Sequence, residues 1–410
     1  MRKIIVSVVV ALVVLCGASF YIYKTNNVSE TYENKEIKKV NNNLLSMMLE
    51  TSAGSGEYQE TTSNEWPTEG YVFNENLSKC EKGNNLSWDS TKKTVVMTGN
   101  VSDKCYVYFD LIPPVYLADY IKGLYTTQGA NNLYLHDSTL ENGAGDNSYR
   151  YAGSSDTTNN FVCFGYDSTD GTCPTDYLYR IIGVFDSQVK LIKYDYANSN
   201  LLGTDGDYST NTFSKSGLST YKGELTTINR YYWNHKNTGN VWSASRLNTV
   251  NLNTNYLNNI GANWSNKIAM HTWKVGGNTF ANIASVTAPN TYTNEITFPA
   301  ENTTYDAQIG LMYVSDYGYA ASSSSWSTAL SSYNNANVTA NNWMYMGLFE
   351  WTMVRGLDKS LFAFFVGNDG FVNCTNAFNE FIAVRPVLYL TSETAYKSGS
   401  GTIFSPILLK

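Results

Sequence analysis

Apolar residues in this chain fall mostly into short runs separated by Asn, Ser, Thr and Gly clusters, with one exception at the N-terminus. There, Ile4 to Tyr23 runs without a charged residue between Arg2-Lys3 and Lys24. As a helix of about 1.5 Å rise per residue, such a run spans about 30 Å, the thickness of a bilayer's hydrocarbon core. The basic flank places Arg2 and Lys3 on the cytoplasmic side and Phe20, Tyr21 and Tyr23 at the outer interface. A competing reading is a cleaved signal peptide with a small-residue site at Cys16-Gly17-Ala18. The apolar run continues past that site, which favours an uncleaved anchor. On either reading residues 1–24 are an export segment and the bulk of the chain lies outside the cytoplasm; on the anchor reading the protein partners the membrane through residues 4–23. A lipid anchor on Cys16 is disfavoured by Leu15, where such signals carry a small residue.

Residues 25–65 are polar, and their Gly/Ser stretch predicts a stalk, with a short helix around Leu44–Leu49. Residues 66–112 hold short alternating runs at Tyr71–Phe73, Leu86–Trp88, Thr94–Met97 and Cys105–Phe109, the pattern of a small β module. Ile112-Pro113-Pro114 breaks the chain. In residues 113–150, Leu117, Tyr120, Ile121 and Leu124 recur at helical spacing before a polar connector. The main domain is expected over 151–410. It opens with a strand-like run at Asn160–Cys163 and then a hairpin, Leu178–Phe185 and Val189–Tyr194 around Asp186-Ser187-Gln188. Two short helical pieces follow at 242–260, with Ser243 and Thr254 as candidate caps. Strands return at Leu361–Val366, Phe371–Asn373 and Ala383–Leu390.

Composition sharpens this picture. Charged residues make up 15% of the chain, against roughly 25% in an average globular protein. Polarity comes instead from Asn, Ser, Thr and 32 tyrosines, which suit strands and turns. The fold class expected is α+β and dominated by β structure. A formal charge of −7 with no basic run argues against nucleic acid as a partner.

Outside the cytoplasm, closely spaced cysteines read as disulfides. Nearest neighbours pair Cys80 with Cys105 and Cys163 with Cys173, leaving Cys374. No Cys-x-x-Cys occurs and the three histidines lie far from any cysteine, so neither zinc nor another metal is expected. No cofactor is expected.

Three stretches resemble a family of exported bacterial surface proteins of unknown function. They are Leu178–Phe185 with Val189–Ile192, Trp242–Leu247 with Asn253–Leu257, and Trp351–Arg355 with Gly370–Val372 and Val384–Leu390. The Cys80–Cys105 unit is similar to a small module found attached to many such proteins. The ending, an aromatic/Arg segment, a strand, a Gly turn and Val384-Arg385-Pro386, is similar to the C-type-lectin-like fold, whose superfamily includes the formylglycine-generating enzymes. The resemblance implies a lectin-like main domain. It does not extend to formylglycine chemistry, which uses paired C-terminal cysteines where this chain has Cys374 alone. Nor does it bring a lectin calcium site, since neither a Glu-Pro-Asn nor a Gln-Pro-Asp triplet is present.

Trp343 and Trp351 are candidate stacking faces for a ligand, with core packing as the competing reading. Tyr151 and Phe364 are of the same kind. Arg355, Asp369 and Asn373 complete the candidate ligand-binding set on the segment that carries the C-terminal resemblance. Arg385 lies inside an apolar strand, where a guanidinium needs a buried carboxylate, so its role is read as structural. Asp167, Asp170, Asp205 and Asp207 read as turn residues, without the spaced ligands of a calcium loop. No nucleophile-elbow, zincin, P-loop or dinucleotide motif occurs. These features predict a non-catalytic cell-surface recognition or adhesion module with a glycan or protein ligand. The alternatives are a surface hydrolase or cell-wall-processing enzyme, and a structural envelope protein.

Overall fold

The computed structural model describes residues 30–33, 45–99, 103–128, 132–218, 220–236, 239–282, 285–299, 301, 303–379 and 382–410. The apolar segment 4–23, with the anchor expected there, lies outside these residues. Among the described residues no helix is long and apolar enough to cross a membrane. The structure is β-rich α+β, and it divides into two compact units, Met1–Pro114 and Val115–Lys410.

The first unit contains strands β1 (Glu30–Glu33), β2 (Leu45–Glu50), β3 (Tyr58–Glu60), β4 (Tyr71–Phe73), β5 (Lys79–Cys80), β6 (Asn85–Asp89), β7 (Thr94–Gly99) and β8 (Cys105–Leu111). One sheet has the order β1-β7-β6 and the other β3-β2-β8-β4, with β5 also paired to β8. Alternation along β8 buries Cys105, Val107 and Phe109, and Trp66, Phe73 and Trp88 pack their rings within 5.8 Å of Phe109. The helix expected around Leu44–Leu49 is instead β2, paired in parallel with β8 from Leu45 opposite Cys105 to Leu49 opposite Phe109. Its Leu and Met residues tolerate either state, so the available ladder decides. The stalk expectation therefore gives way over 45–60, where β2 and β3 belong to the sheet. Cys80 is disulfide-bonded to Cys105.

In the second unit the main sheet takes strands from across the sequence: β9 (Leu133–Leu135), β10 (Tyr149–Tyr151), β11 (Phe161–Cys163), β12 (Leu178–Phe185) and β13 (Gln188–Lys193). Smaller hairpins are β14 (Tyr208–Ser214) with β15 (Thr227–Tyr231), and β16 (His271–Lys274) with β17 (Thr304–Ala307). The remainder are β18 (Ile309–Gly310), β19 (Glu350–Arg355), β20 (Phe362–Val366), β21 (Val372–Asn376), β22 (Val387–Tyr389), β23 (Tyr396–Ser398) and β24 (Leu408–Leu409). The main sheet runs β18-β22-β13-β12-β10-β9, with β11 also on β12. The β12–β13 turn is Asp186-Ser187, with Phe185 opposite Gln188 and Asp186 at φ 55°. Central position explains why β12 and β13 are buried on both faces. The helix Leu117–Gln128 buries Leu117, Ala118 and Ile121. Residues 113–150 are thus not a connector outside the main domain: β9 and β10 extend its sheet, and the unit begins at Val115. Over 242–260 the chain forms a short turn and then wide helical turns, Leu247–Tyr256, that continue as Leu257–Ile260. The cap there is Ser245, whose Oγ accepts from Asn248 N at 3.2 Å, rather than Ser243.

Candidate recognition cleft

A cleft of about 270 Å³ opens in the second unit where β12 begins and β13 ends. One wall is the segment after β11. Cys163 is joined to Cys173, which holds residues 164–172 as a tight loop and delivers the turn Thr175–Tyr177 to the rim. Gly165, at φ +95°, lets the Tyr177 ring lie against the backbone; a Cβ there would stand 3.0 Å from Tyr177 Cδ1. Tyr177 is 38% exposed and Tyr166 39%, and their rings pair at 5.4 Å. Tyr177 thus marks this edge of the cleft, with Tyr166 against it.

The opposite wall is the helix Ser199–Leu202 and the turn of helix Leu257–Ile260. Asn198 accepts from Leu201 N at 3.1 Å and so starts the first helix. Asn259 donates to the carbonyls of Asn200 and Leu201 at 3.0 and 2.9 Å, locking the two segments together. Tyr179 lies at the floor, its hydroxyl 2.6 Å from that of Tyr256.

Lys193, the last residue of β13, also lines the cleft although it is only 3% exposed. Its Nζ donates to Asp176 O at 3.0 Å. An ammonium has three donors, so this contact uses one of them. Burial lowers its pKa, against the attraction of Asp195 and Asp176. The lining therefore combines aromatic faces, asparagine amides and one desolvated ammonium.

No protein family model, curated protein or solved structure matches this chain. Its chemistry rests on its own residues.

None of the five ligand-binding residues expected from the sequence lines this cleft. Trp343 and Trp351 are 1% and 0% exposed, their indole N–H groups donating at 2.8 Å to Tyr151 O and Tyr231 O. Their faces are core surfaces, because a large aromatic with a satisfied N–H gains most by full burial. Tyr151 and Phe364 are buried as well. Arg355 donates to Gly276 O at 3.2 Å and pairs with Glu301. Asp369 lies exposed in the β20–β21 turn, accepting from Phe371 N, and Asn373 accepts from Cys374 N at 2.8 Å. Strand register keeps them apart: Arg355 faces Ala363 at one end of β20, whereas the Asp369 turn follows Val366 at the other.

Arg385 is 1% exposed and grips Glu350 with two hydrogen bonds of 2.8 Å, donating also to Met344 O at 2.7 Å. Cys374 is a buried thiol whose pKa burial raises to about 12, the profile of an inert packing residue. The one His/Cys/Asp/Glu grouping with metal-ligand proximity among the described residues is Cys80, Asp103 and Cys105, and its two sulfurs are spent in the disulfide.

Proposed function

We propose that this protein is an extracytoplasmic recognition module, held at the membrane by residues 4–23, that binds a glycan or protein ligand in the Tyr177–Lys193 cleft without transforming it. The observation that carries this reading is the cleft lining: an exposed tyrosine ring, asparagine amides and a single desolvated ammonium. Aromatic faces with a few convergent polar groups are what small-ligand sites use for contact and orientation. A volume of about 270 Å³ falls just below the range of ligand pockets, roughly 300–1,000 Å³, and suits one sugar ring or one side chain. The two disulfides fit an oxidising compartment. A lectin-like fold for the second unit, and kinship with the exported bacterial family, are part of the same reading and rest on the sequence resemblance.

The alternative of a hydrolase is disfavoured by the same lining. It includes one carboxylate residue, Asp176, and no Ser, His or Cys; hydrolysis would call for a carboxylate pair or a nucleophile with its base. The test is an array of glycans, cell-wall fragments and peptides probed with residues 25–410. Tyr177→Ala should weaken any hit about tenfold or more, the loss of roughly 1.4 kcal/mol. A hit bound equally well by the variant would move the site elsewhere, and turnover of a bound glycan would replace recognition with catalysis.

A further inference from the structure

Lys190 and Asp316 are separated by 126 residues of chain, yet Nζ lies 2.6 Å from Oδ2. Lys190 is in β13, at the centre of the main sheet, and Asp316 is in the first turn of the helix Val314–Ala320. The two side chains are 1% and 2% exposed. The rings of Phe185, Trp273, Tyr313 and Tyr389 all have their centroids within 5.7 Å of the ammonium. A second buried acid adjoins the pair. Glu295, 1% exposed, accepts from Ser315 N at 3.1 Å, the amide next to Asp316, and from Asn278 Nδ2 at 3.0 Å. Arg150 lies 3.9 Å from Asp316, but its closer partner is Asp146 at 2.6 Å.

A primary amine ringed by aromatic side chains, a carboxyl group hydrogen-bonded to it and a second buried acid bonded to the neighbouring amide are the reactants and the proton carrier of an amide condensation. Burial lowers the pKa of Lys190 and raises that of Glu295 to about 8. Both shifts favour the neutral forms that such a reaction needs. Opposite charges in so dry a place carry a desolvation cost, which a neutral amide avoids.

We propose that Lys190 and Asp316 join in an intramolecular isopeptide bond, with Glu295 as the proton carrier. The ammonium first passes a proton to the carboxylate, giving an amine and a carboxylic acid. The amine lone pair attacks Asp316 Cγ while Glu295 protonates the carboxyl oxygen, and Glu295 regains a proton from the attacking nitrogen. The Nζ–Cγ bond forms, a Cγ–O bond breaks, and one water leaves. Nothing is oxidised or reduced, and no further reactant is needed. The product ties the central strand to the helix covalently, closing a loop from residue 190 to residue 316 that reductants do not open.

The full chain, reduced, unfolded and digested with trypsin, tests this by peptide mass spectrometry. The expected product is a branched peptide containing both residues 190 and 316, one water lighter than its two arms together and uncut after Lys190. Complete cleavage after Lys190 with unmodified linear peptides would show an ordinary ion pair and overturn the proposal. A cyclic imide at Asp316 also removes one water, but it leaves Lys190 cleavable and the peptide unbranched, so that result overturns it too. Glu295→Gln should accumulate at least tenfold less branched product than the parent, with Glu295→Asp recovering part of it. Undiminished cross-linking in the folded Glu295→Gln variant would remove Glu295 from the mechanism.

Discussion

At the scale of single residues, two arginines of similar sequence appearance carry different energetic weight. Arg385 is bonded at two points to Glu350, itself 2% exposed, so truncation strands a buried carboxylate, at a typical cost of about 3–5 kcal/mol. The partner of Arg355, Glu301, is 55% exposed, and such a pair contributes about 0–1 kcal/mol. Thermal melts should therefore show Arg385→Ala strongly destabilised and Arg355→Ala close to the parent. Equal shifts in the two variants would refute this ranking. Glu295 adds a pH dependence. Its folded pKa, raised by burial to about 8 from 4.5, makes the native state hold a proton that the unfolded chain releases. Its stabilising contribution is complete below pH 4.5 and is lost as pH rises towards 8. His271, lowered by burial to about 4, acts in the opposite sense below pH 6.5, so the clearest window for Glu295 is pH 6.5–8. Denaturant titrations there should give the parent a falling stability and Glu295→Gln a flatter one. A parallel decline in both would assign the proton elsewhere.

At the scale of elements, legibility depended on how local each decision was. The β12–β13 hairpin was readable because its turn and both apolar runs are contiguous. The strand β2 was not, since its pairing partner β8 lies about sixty residues further on and Leu-Ser-Met-Met-Leu carries no strong local preference. Strands β9 and β10, three residues each, were hidden in a polar stretch. The cleft escaped notice because residues 164–201 and 257–260 meet only in the fold. One signal was present: Lys190 and Lys193 interrupt an apolar strand just as Arg385 does, and a buried ammonium needs polar partners as much as a buried guanidinium. Trp343 and Trp351 showed the limit of residue type, because an aromatic suited to stacking is also suited to a core. The loop after β11 gives an element-level test. Gly165 and Gly171 both have positive φ, +95° and +87°, but only at Gly165 would a Cβ meet Tyr177, while Gly171 has open space. Alanine at either position should cost about 1–2 kcal/mol in backbone strain. Only Gly165→Ala should also weaken ligand binding, by displacing Tyr177. Equal binding by the two variants would take Tyr177 out of the site.

At the scale of the whole molecule, the two units have cores of very different size. The first rests on Met47, Trp66, Val95, Val107 and Phe109, whereas the second buries residues from Leu117 to Leu409 in one extensive cluster. Small cores leave little margin, and a covalent staple then supplies a large part of the stability. The Cys80–Cys105 link closes a sequence separation of 25, equivalent to about 3.5 kcal/mol on the chain-entropy account. Set against a total of about 5–15 kcal/mol for an ordinary domain, that loss would leave the small unit barely folded. Calorimetry of residues 25–410 should resolve two transitions. Replacing both Cys80 and Cys105 with serine should lower or abolish the transition of the small unit and leave that of the second unit in place. The comparison isolates the small unit because the Cys163–Cys173 link is untouched in both proteins. A single transition that shifts as a whole in the variant would mean that the units unfold together, and the small core would then draw its stability from the larger one rather than from its own staple.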